Sequence, residues 1–444
     1  MIIVGCFFYL LGLGIFPFSI TRLVKVSNIR KPDDFLKTLA ILLTVGILIN
    51  YGLVLIIKSL PTSLLFGSII SIIGLLISSF LSIRHHHLKI PQKITIFKLL
   101  GTIVVLFLFL SPILAEPLFD WDARSIWFFH AKMIYTAENI GLSAGWLDPS
   151  VGFSHPDYPK LIPTMAAQIS HIAGFWNEYL PKASILIMFI PMILIIFSFS
   201  KKSLSFFFLL ALIPFSFYDS LWNGYMDGLL ALYLTISMLL ISKFFKSSDF
   251  FDLFAGLLCL SISLNIKNEA ALGTLAILIS FLLGLILFNH KTSIKKEIIR
   301  NWKYYLIWIS SLIPFFLWVL YINQWNLTND LKIGSAQSIQ NIVLRITDGS
   351  LSTIMLRSYQ EINGSVLILI ICLTAILSWK KELNIVMFLP LISSLLIFLG
   401  LVAVYLSTPH NLIWHLNTSV DRTMLPVNGG ILIACYYLLE SIET

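Results

Sequence analysis

The chain has 444 residues, of which 58% are hydrophobic and only 12% are charged, and its mean hydropathy is +0.90. Soluble proteins carry about a quarter of their residues as charged side chains, so this composition excludes a soluble protein and predicts a polytopic membrane protein. The formal net charge of +8 indicates orientation in the bilayer and not nucleic-acid binding, because the basic residues of such chains collect in cytoplasmic loops.

Thirteen mainly apolar runs predict an all-α fold with about 13 transmembrane helices, since a spanning helix needs about 20 apolar residues. In chain order the runs cover residues 2–21, 38–57, 62–83, 97–115, 183–200, 203–217, 227–242, 252–266, 270–288, 304–322, 364–379, 383–406 and 425–440. Arg22 and Lys25 follow the first run, and no basic residue precedes it. This order is the reverse of a cleavable signal peptide and predicts a retained span with its N-terminus outside.

Strict alternation from that start assigns every loop to one side of the membrane. Twenty of the 30 Lys and Arg residues then fall in inside loops, as the positive-inside rule requires. Residues 116–182, 323–363 and 407–424 are predicted outside, and residues 290–303 inside. We therefore expect a multi-pass protein of the cytoplasmic membrane with its candidate site on the outer face. The histidines at 85–87 are interpreted as part of a basic inside turn.

The same topology suggests a division of the chain. Residues 1–95 would hold three N-terminal spans, 96–322 a catalytic transmembrane core with the outer loop 116–182, 323–363 a second outer loop, and 364–444 the C-terminal spans with the outer loop 407–424. In the first outer loop Arg124, Phe128 and Lys132 are spaced four residues apart, as on one face of a helix, and apolar residues fall on another face. This pattern predicts a helix that lies along the membrane surface.

The segment EPLFDWDARS follows the fourth predicted span directly and contains Asp120 and Asp122 on either side of Trp121. Two such carboxylates suit a general base with an orienting partner, or a divalent metal site, and the start of a solvated loop is the alternative. We favour Asp122 as the base because it begins the predicted surface helix. Amides at the helix N-terminus, together with Arg124, would there keep its carboxylate ionised.

The segment FSHPDYPKLIPT carries His155, Asp157, Tyr158 and Lys160 among three prolines between residues 156 and 163. Proline fixes its own φ and restricts the residue before it, so the segment is predicted to be stiff, extended and non-helical. Its polar side chains would be held in place for substrate binding. A rigid turn without function is the alternative.

Two further clusters lie at span ends. The string YDSLWNGYMDG places Asp219 and Asp227 at the outer end of the seventh span, and NIKNEA places Lys267 and Glu269 between two short apolar runs. Intramembrane charge costs about 2.5 to 3.5 kcal/mol per residue on insertion scales, so such residues usually pair or line a cavity. We expect Lys267 and Glu269 to face the same outer cavity as Asp122 and Asp227. A pair that only neutralises itself is the alternative.

The fifth cluster, TPHNLIWHLNTSVDR, precedes the last predicted span and contains His410, His415, Asp421 and Arg422. Arginine presents a planar, permanently charged fork that binds phosphate through two hydrogen bonds. Arg422 is therefore predicted to contact an anionic group at the membrane surface. For the histidines, ordinary solvated loop positions are the alternative.

A site on the outer face needs a substrate that is present there. Nucleotide-activated sugars are not available outside the cytoplasmic membrane, and the sequence contains no GxGxxG or GxxxxGK[ST] motif in a nucleotide-binding context. A lipid-linked sugar is the natural donor, with its phosphate at headgroup depth near Arg422, Lys267 or Arg124. A carboxylate would then deprotonate an acceptor hydroxyl for attack on the sugar carbon.

Five strings resemble a known family: DWDARSIWFFHAK, HPDYPKLIPT, GYMDG, KNEA and TPHNLIWHLNTSVDR, in this order between residues 118 and 422. Together they resemble bacterial multi-span proteins of the type C (GT-C) glycosyltransferase superfamily, which includes protein O-mannosyltransferases and the lipid A aminoarabinose transferase. The resemblance implies an inverting transferase that uses polyprenyl-phosphate sugars, with an acidic base in the first large outer loop. Asp122 matches that position best, and Asp120 second. Two departures are the three additional N-terminal spans and the missing Gly after Glu269.

The implied partners are a polyprenyl-phosphate sugar donor, a glycan, lipid or protein acceptor, and membrane lipids, with no nucleic acid. A divalent metal is left open, and no other cofactor is implied. A lipid-linked polysaccharide polymerase or ligase is the nearest alternative. A membrane transporter is a more distant one, because transporters commonly show internal repeats and midplane binding sites, and this sequence shows neither.

Overall fold

The computed structural model describes residues 1–21, 32–84, 93–199, 204–216, 221–287, 299–331, 334–379 and 385–443. Within these ranges the regular structure is helical, apart from one isolated antiparallel bridge between Ser59 and Asn139. Eleven helical segments among the described residues are long and apolar enough to cross a membrane. The predicted all-α, polytopic membrane protein is confirmed.

Two shorter apolar helices, Leu204–Pro214 and Phe250–Ser263, coincide with the predicted spans at 203–217 and 252–266. Each of the thirteen predicted runs therefore has a helical counterpart, whereas the number that cross the membrane stays a prediction. The histidines at 85–87, Asp219 and most of the inside-loop basic residues lie outside the described residues.

Eighteen α-helices are named here in chain order. They are α1 Ile2–Thr21, α2 Pro32–Ile57, α3 Leu60–Arg84, α4 Lys93–Ala115, α5 Phe128–Ala137, α6 Leu161–Ala173, α7 Ala183–Ser198, α8 Leu204–Phe215, α9 Asp227–Ser247, α10 Phe250–Ser263, α11 Ala270–Leu287, α12 Trp302–Ser311, α13 Ile313–Gln324, α14 Ala336–Thr347, α15 Ser350–Trp379, α16 Phe388–Ser407, α17 Leu412–Thr423 and α18 Leu425–Glu443.

The helices belong to two compact units. The first unit comprises Met1–Ser200, Ser220–Leu229 and Leu306–Leu327, and the second comprises Lys201–Asp219, Leu230–Tyr305 and Thr328–Thr444. The predicted divisions at residues 95, 322 and 363 were drawn from topology, and they stay predictions.

In the first unit, close backbone contact packs α1 against α2. A Cβ added to Gly14 would lie 1.8 Å from the carbonyl oxygen of Leu42, so glycine is required there, as at other small-residue contacts of membrane helices. An amide pair joins α2 to α6: Asn50 Nδ2 donates to Gln168 Oε1 at 2.8 Å, and Gln168 Nε2 donates to Asn50 Oδ1 at 3.0 Å. The N-terminal spans are therefore tied directly to a helix of the first predicted outer loop.

That loop, residues 116–182, is largely helical. A π-helix, Ala123–Trp127, leads into α5, so the predicted helix near Arg124 is confirmed. The predicted faces are wrong, because Phe128 is buried whereas Arg124 is exposed. A π turn holds more residues than an α turn, which breaks the i, i+4 spacing on which that prediction depended.

The proline-rich segment is non-helical from His155 to Lys160, as predicted, but α6 begins at Leu161. Pro163 lies in the first turn of α6, so the prediction that all three prolines exclude helix is wrong at this position. The first N–H groups of a helix have no partner within it, and proline is tolerated there because it removes one of them.

In the second unit, glycines allow α16 and α18 to approach α11 and α9. A Cβ on Gly400 of α16 would lie 2.3 Å from Leu272 Cδ1 of α11, and one on Gly429 of α18 would lie 2.0 Å from Thr235 Oγ1 of α9. The C-terminal helices α16 and α18 therefore pack against α11 and α9, which come from the middle of the chain. The short helix α17, in the predicted outer loop 407–424, connects α16 to α18.

The predicted topology can be tested with single cysteines at Gln340 and Lys303, which are both exposed. Gln340→Cys is expected to react with an impermeant maleimide in intact cells, and Lys303→Cys only after permeabilisation, because positive-inside alternation puts them on opposite sides. The four native cysteines are buried, so background labelling should be low. Labelling at 303 in intact cells, or protection at 340, would contradict the topology and the outer site.

Candidate active site

The predicted catalytic carboxylates follow α4 on a segment that is anchored in the first unit. The backbone N–H of Phe119 donates to Oδ1 of the buried Asn223 at 3.2 Å. Asp120 and Asp122 come directly after this anchor and are both half-buried. Their backbone is therefore fixed while part of each residue remains accessible.

A buried lysine makes a second anchor for the same segment. Lys182 Nζ donates to the carbonyl oxygen of Trp222 at 3.2 Å and to that of Glu116. Glu116 begins the loop, and Trp222 precedes Asn223, so the lysine joins the same two stretches of chain as the Phe119 hydrogen bond. The stretches 116–122 and 221–227 thus lie side by side.

Gly224 allows these two stretches of chain to pack closely. Its φ of 113° lies in the left-handed region, and an added Cβ would lie 2.7 Å from Ala123 Cβ and 2.8 Å from Phe128 Cε2. Only glycine combines that backbone conformation with that approach. The first and third sequence clusters, DWDARS and NGYMDG, are therefore neighbours in the first unit.

Asp227, from the third cluster, is buried at 6% exposure in the first turn of α9. A carboxylate in this position is stabilised by the partial positive charge of the helix N-terminus. Asp227 follows Gly224, which contacts Ala123, by three residues.

The expected capping by Asp122 is wrong. Asp122 precedes the π-helix, but its side chain makes no capping hydrogen bond, because its own φ of −60° and ψ of −34° are already helical, whereas a capping residue is extended. Among the described residues, no group of three or more His, Cys, Asp and Glu side chains has the geometry to hold a metal ion.

Lys160, from the proline-rich segment, is enclosed by protein groups. It is 0% exposed, and its Nζ donates to the Pro156 carbonyl at 2.9 Å and to His130 Nδ1 at 3.0 Å. The same nitrogen lies 4.6 Å from the ring centre of Trp146 and 5.1 Å from that of Trp318. In this arrangement Lys160 fixes the segment 155–160 to α5 and to both tryptophans.

The hydrogen bonds of this cage suit a neutral imidazole. His130 Nε2 lies 3.0 Å from Ser154 Oγ, so a neutral His130 donates to the serine and accepts from Lys160 at Nδ1. Burial lowers the pKa of His130 well below its ordinary value, and Lys160 and His155 lower it further. Burial also lowers the pKa of Lys160, against the opposing effect of Asp157.

The cage predicts a pH dependence of stability. Unfolded His130 binds a proton near pH 6.5, whereas folded His130 binds it only at lower pH, so the free energy of unfolding should fall as the pH drops below 6.5. The expected loss from this histidine is at most about 1.4 kcal/mol between pH 8 and pH 5.5. Thermal unfolding of the detergent-solubilised protein at both pH values measures it.

His130→Asn removes the titration and keeps an acceptor for Lys160, so its stability should vary less with pH than that of the wild type. His171→Asn is the matched control, because His171 is partly exposed beside Glu138 and lies outside the cage. Equal pH dependence in the wild type and His130→Asn would exclude the cage as its source.

His155 and Tyr158 of the same segment form an aromatic stack with Trp127. His155 lies on Tyr158 with ring centres 5.0 Å apart and 20° between planes, and Tyr158 lies on Trp127 at 5.5 Å and 30°. His155 has a φ of 53°, a conformation that costs energy in a non-glycine residue and is often found at binding sites. Asp157 is buried, and its carbonyl accepts from Trp318 Nε1 at 3.0 Å.

In the second unit, Lys267 and Glu269 form an ion pair with 3.2 Å between Nζ and Oε1. They lie on the connection between α10 and α11. Helix α10 has 14 residues and is about 21 Å long, shorter than the ~30 Å hydrocarbon core. This ion pair agrees with the alternative interpretation, in which the two charges neutralise each other. Because Asp122 and Asp227 belong to the first unit, the shared cavity stays a prediction.

Tyr405 at the end of α16 brings this pair and the last cluster together in the second unit. Its hydroxyl lies 2.9 Å from Ser419 Oγ of α17, and Lys267 and Asp421 both lie within electrostatic range of it. The ring of His415 meets the Tyr405 ring edge-on at 5.0 Å. Residues of TPHNLIWHLNTSVDR therefore contact Tyr405, and Lys267 of KNEA interacts with it electrostatically.

The other histidine of this cluster pairs with an acid from the second predicted outer loop. His410 Nε2 lies 3.1 Å from Asp330 Oδ2, and the His410 ring lies 5.7 Å from that of His415. The Arg345 guanidinium donates to the His410 carbonyl at 3.1 Å. Arg422, in the last turn of α17, donates from Nη2 to the Thr418 carbonyl at 2.6 Å.

Comparisons of the chain with protein-family models, curated proteins and solved structures found no match. The site is therefore interpreted from its own residues and contacts. Sequence reasoning missed Asn223, Lys182 and His130 in the first unit and Asp330 and Arg345 in the second. Two signals could have pointed to them: Asn223 adjoins the GYMDG string, and His130 lies within DWDARSIWFFHAK.

Proposed function

We propose that this protein transfers a sugar from a polyprenyl-phosphate donor to an acceptor hydroxyl on the extracytoplasmic face of the cytoplasmic membrane, with inversion at the sugar carbon. One observation carries the proposal. In a polytopic membrane protein, the half-buried residues Asp120 and Asp122 lie on a loop that Asn223 and Lys182 fix beside the stretch leading to Asp227. Such a pair suits general-base catalysis on a substrate at the membrane surface.

In the proposed reaction Asp122 accepts the proton of the acceptor hydroxyl. The hydroxyl oxygen forms a bond to the anomeric carbon as the bond from that carbon to the phosphate oxygen breaks. The electron pair of the broken bond leaves with the polyprenyl phosphate. Asp122 then releases its proton to water, so no oxidant, reductant or cofactor is consumed.

The other clusters have proposed roles in binding. Arg422, Lys267 or Arg124 would stabilise the departing phosphate, since fixed positive charge at a developing anion lowers the barrier. The stacked rings of His155 and Tyr158 would present a flat surface to a sugar or an acceptor. Asp120 would orient a partner of Asp122.

The test is transfer of labelled sugar by the purified protein with a panel of donors. We expect transfer from a polyprenyl-monophosphate monosaccharide to an envelope-derived acceptor mixture, with release of polyprenyl phosphate. We expect no transfer from nucleotide sugars. Transfer only from polyprenyl-diphosphate oligosaccharides would contradict the proposal and indicate a polymerase or ligase. Solute uptake into proteoliposomes without donor consumption would contradict the proposal and indicate a transporter.

A further inference from the structure

Helix α14 in the second predicted outer loop has three distinct faces. Ser335 caps its N-terminus by accepting from the Ser338 N–H at 3.2 Å. At 100° per residue, Ser338, Asn341 and Arg345 fall on one face. Ile339, Val343 and Ile346 fall on a second face, and Gln337, Gln340 and Leu344, which is 61% exposed, fall on a third. A helix with three faces fits a position where three environments meet.

The first face binds the end of a membrane-spanning helix. Asn341 Nδ2 donates to the Thr408 carbonyl at 2.9 Å, and Arg345 donates to the carbonyls of Tyr405 at 2.8 Å and Leu406 at 3.1 Å. The last carbonyls of a helix have no partner within it, so these bonds satisfy groups at the carboxyl end of α16. They also hold α14 at the depth where a spanning helix leaves the membrane.

The second face is apolar and exposed. Ile339, Val343 and Ile346, at spacing i, i+4 and i+7, are 61%, 58% and 53% exposed. Their neighbours on the third face, Gln337 and Gln340, are also exposed. Water contact with such a stripe is unfavourable by about 25 cal/mol per Å², so the stripe requires an apolar environment.

We infer that α14 lies in the plane of the membrane, with its apolar face in the acyl-chain boundary of one leaflet and its glutamine face in water. Amphipathic helices bury such a face about 5 to 10 Å into the headgroup and acyl boundary. Lipid is the partner because the anchor to α16 fixes α14 at the membrane surface. Helix α16 itself carries exposed apolar residues, Leu395 and Leu399, as a helix that faces lipid does.

The inference is independent of the proposed glycosyl transfer, and it bears on the chemistry of the neighbouring cluster. Arg345 of α14 also bonds the His410 carbonyl. A helix in the membrane plane therefore holds the His410 and His415 cluster at headgroup depth, where the polar part of a lipid is the available ligand.

The test is a fluorescent scan of α14 in phosphatidylcholine and phosphatidylglycerol vesicles. Single cysteines at Ile339, Val343 and Ile346, with matched controls at Gln337 and Gln340, carry an environment-sensitive NBD label on the reconstituted full chain. Lipids with a nitroxide near the top of the acyl chain should quench the stripe several-fold more than the controls. Aqueous iodide should give the reverse order. All five positions are exposed, so a label can be accommodated there.

Quenching of every position by iodide and none by the nitroxide lipid would overturn the inference and place the helix in water. Protection of the stripe from both quenchers would also overturn it, because protein would then cover the face. Arg345→Met is a second variant. Loss of the anchor should weaken nitroxide quenching of the stripe while the protein keeps its gel-filtration profile, and unchanged quenching would remove Arg345 from the anchoring role.

Discussion

Replacing Asp122 with Asn is expected to lower sugar transfer by roughly 100-fold or more while donor binding persists. The amide keeps the shape of the carboxylate and cannot accept the proton of the acceptor hydroxyl. The surrounding anchors are the hydrogen bonds from the Phe119 N–H to Asn223 Oδ1 and from Lys182 Nζ to the Glu116 carbonyl, and the substitution leaves both in place. Initial rates under saturating donor, with the binding affinity measured separately, distinguish catalysis from binding.

Asp148→Asn is the matched control, because Asp148 lies on the same loop and caps the short helix Pro149–Ser154 by accepting from Ser150 N. Asparagine caps equally well, so this variant should retain normal transfer. Asp120→Asn should reduce transfer less than Asp122→Asn. A dead Asp120→Asn beside a near-normal Asp122→Asn would reverse the two roles. Normal rates in both would remove the segment from the chemistry.

Replacing Arg422 with Ala is expected to weaken binding of the donor by roughly 10-fold or more, the usual effect of losing a charge-assisted hydrogen bond. Arg422→Lys should recover only part of this affinity, because lysine keeps the charge and loses the planar fork. Retention of a fluorescent polyprenyl phosphate by each purified variant measures the effect.

Arg357→Ala serves as the control for charge, since Arg357 is an exposed arginine of the same unit that no proposed role involves. It should bind the donor as the wild type does. Equal affinities for the wild type and Arg422→Ala would exclude Arg422 from the phosphate site and leave Lys267 and Arg124 as the cations to test there.

Hydropathy predicted most of the fold, because water exclusion over about 20 residues leaves the helix as the practical way to satisfy the backbone. The runs at 2–21 and 425–440, for example, are α1 and most of α18. Finer features of the helices could not be predicted from hydropathy. The π turn before α5 and the entry of Pro163 into α6 depend on local packing and helix ends.

The sequence separated clusters that the fold brings together. Phe119 and Asn223 are 104 residues apart, and no local pattern predicts that an amide side chain will meet that N–H. The close approach of Gly224 to Ala123 is a property of the folded chain, although the glycine itself was visible in the GYMDG string.

Lys160 is a residue whose burial the sequence did not predict. Its position in a polar, proline-rich segment indicated a binding residue, whereas the structure surrounds its amine with His130, Trp146 and Trp318. Those partners lie before and far beyond the segment, so the burial of the lysine depends on tertiary contacts. The ion pair of Lys267 and Glu269 agrees with the alternative that the sequence left open, because charges at membrane depth commonly pair.

The central claim is tested most directly by reconstituting the full chain in proteoliposomes with a chemically defined polyprenyl-monophosphate sugar and an envelope-derived acceptor mixture. We predict that polyprenyl phosphate and glycosylated product form in equal amounts, with the anomeric configuration of the donor inverted. The wild type and Asp148→Asn should both show this, and Asp122→Asn should not. Intact donor after incubation of wild-type protein with every polyprenyl-monophosphate sugar and acceptor fraction would contradict the account.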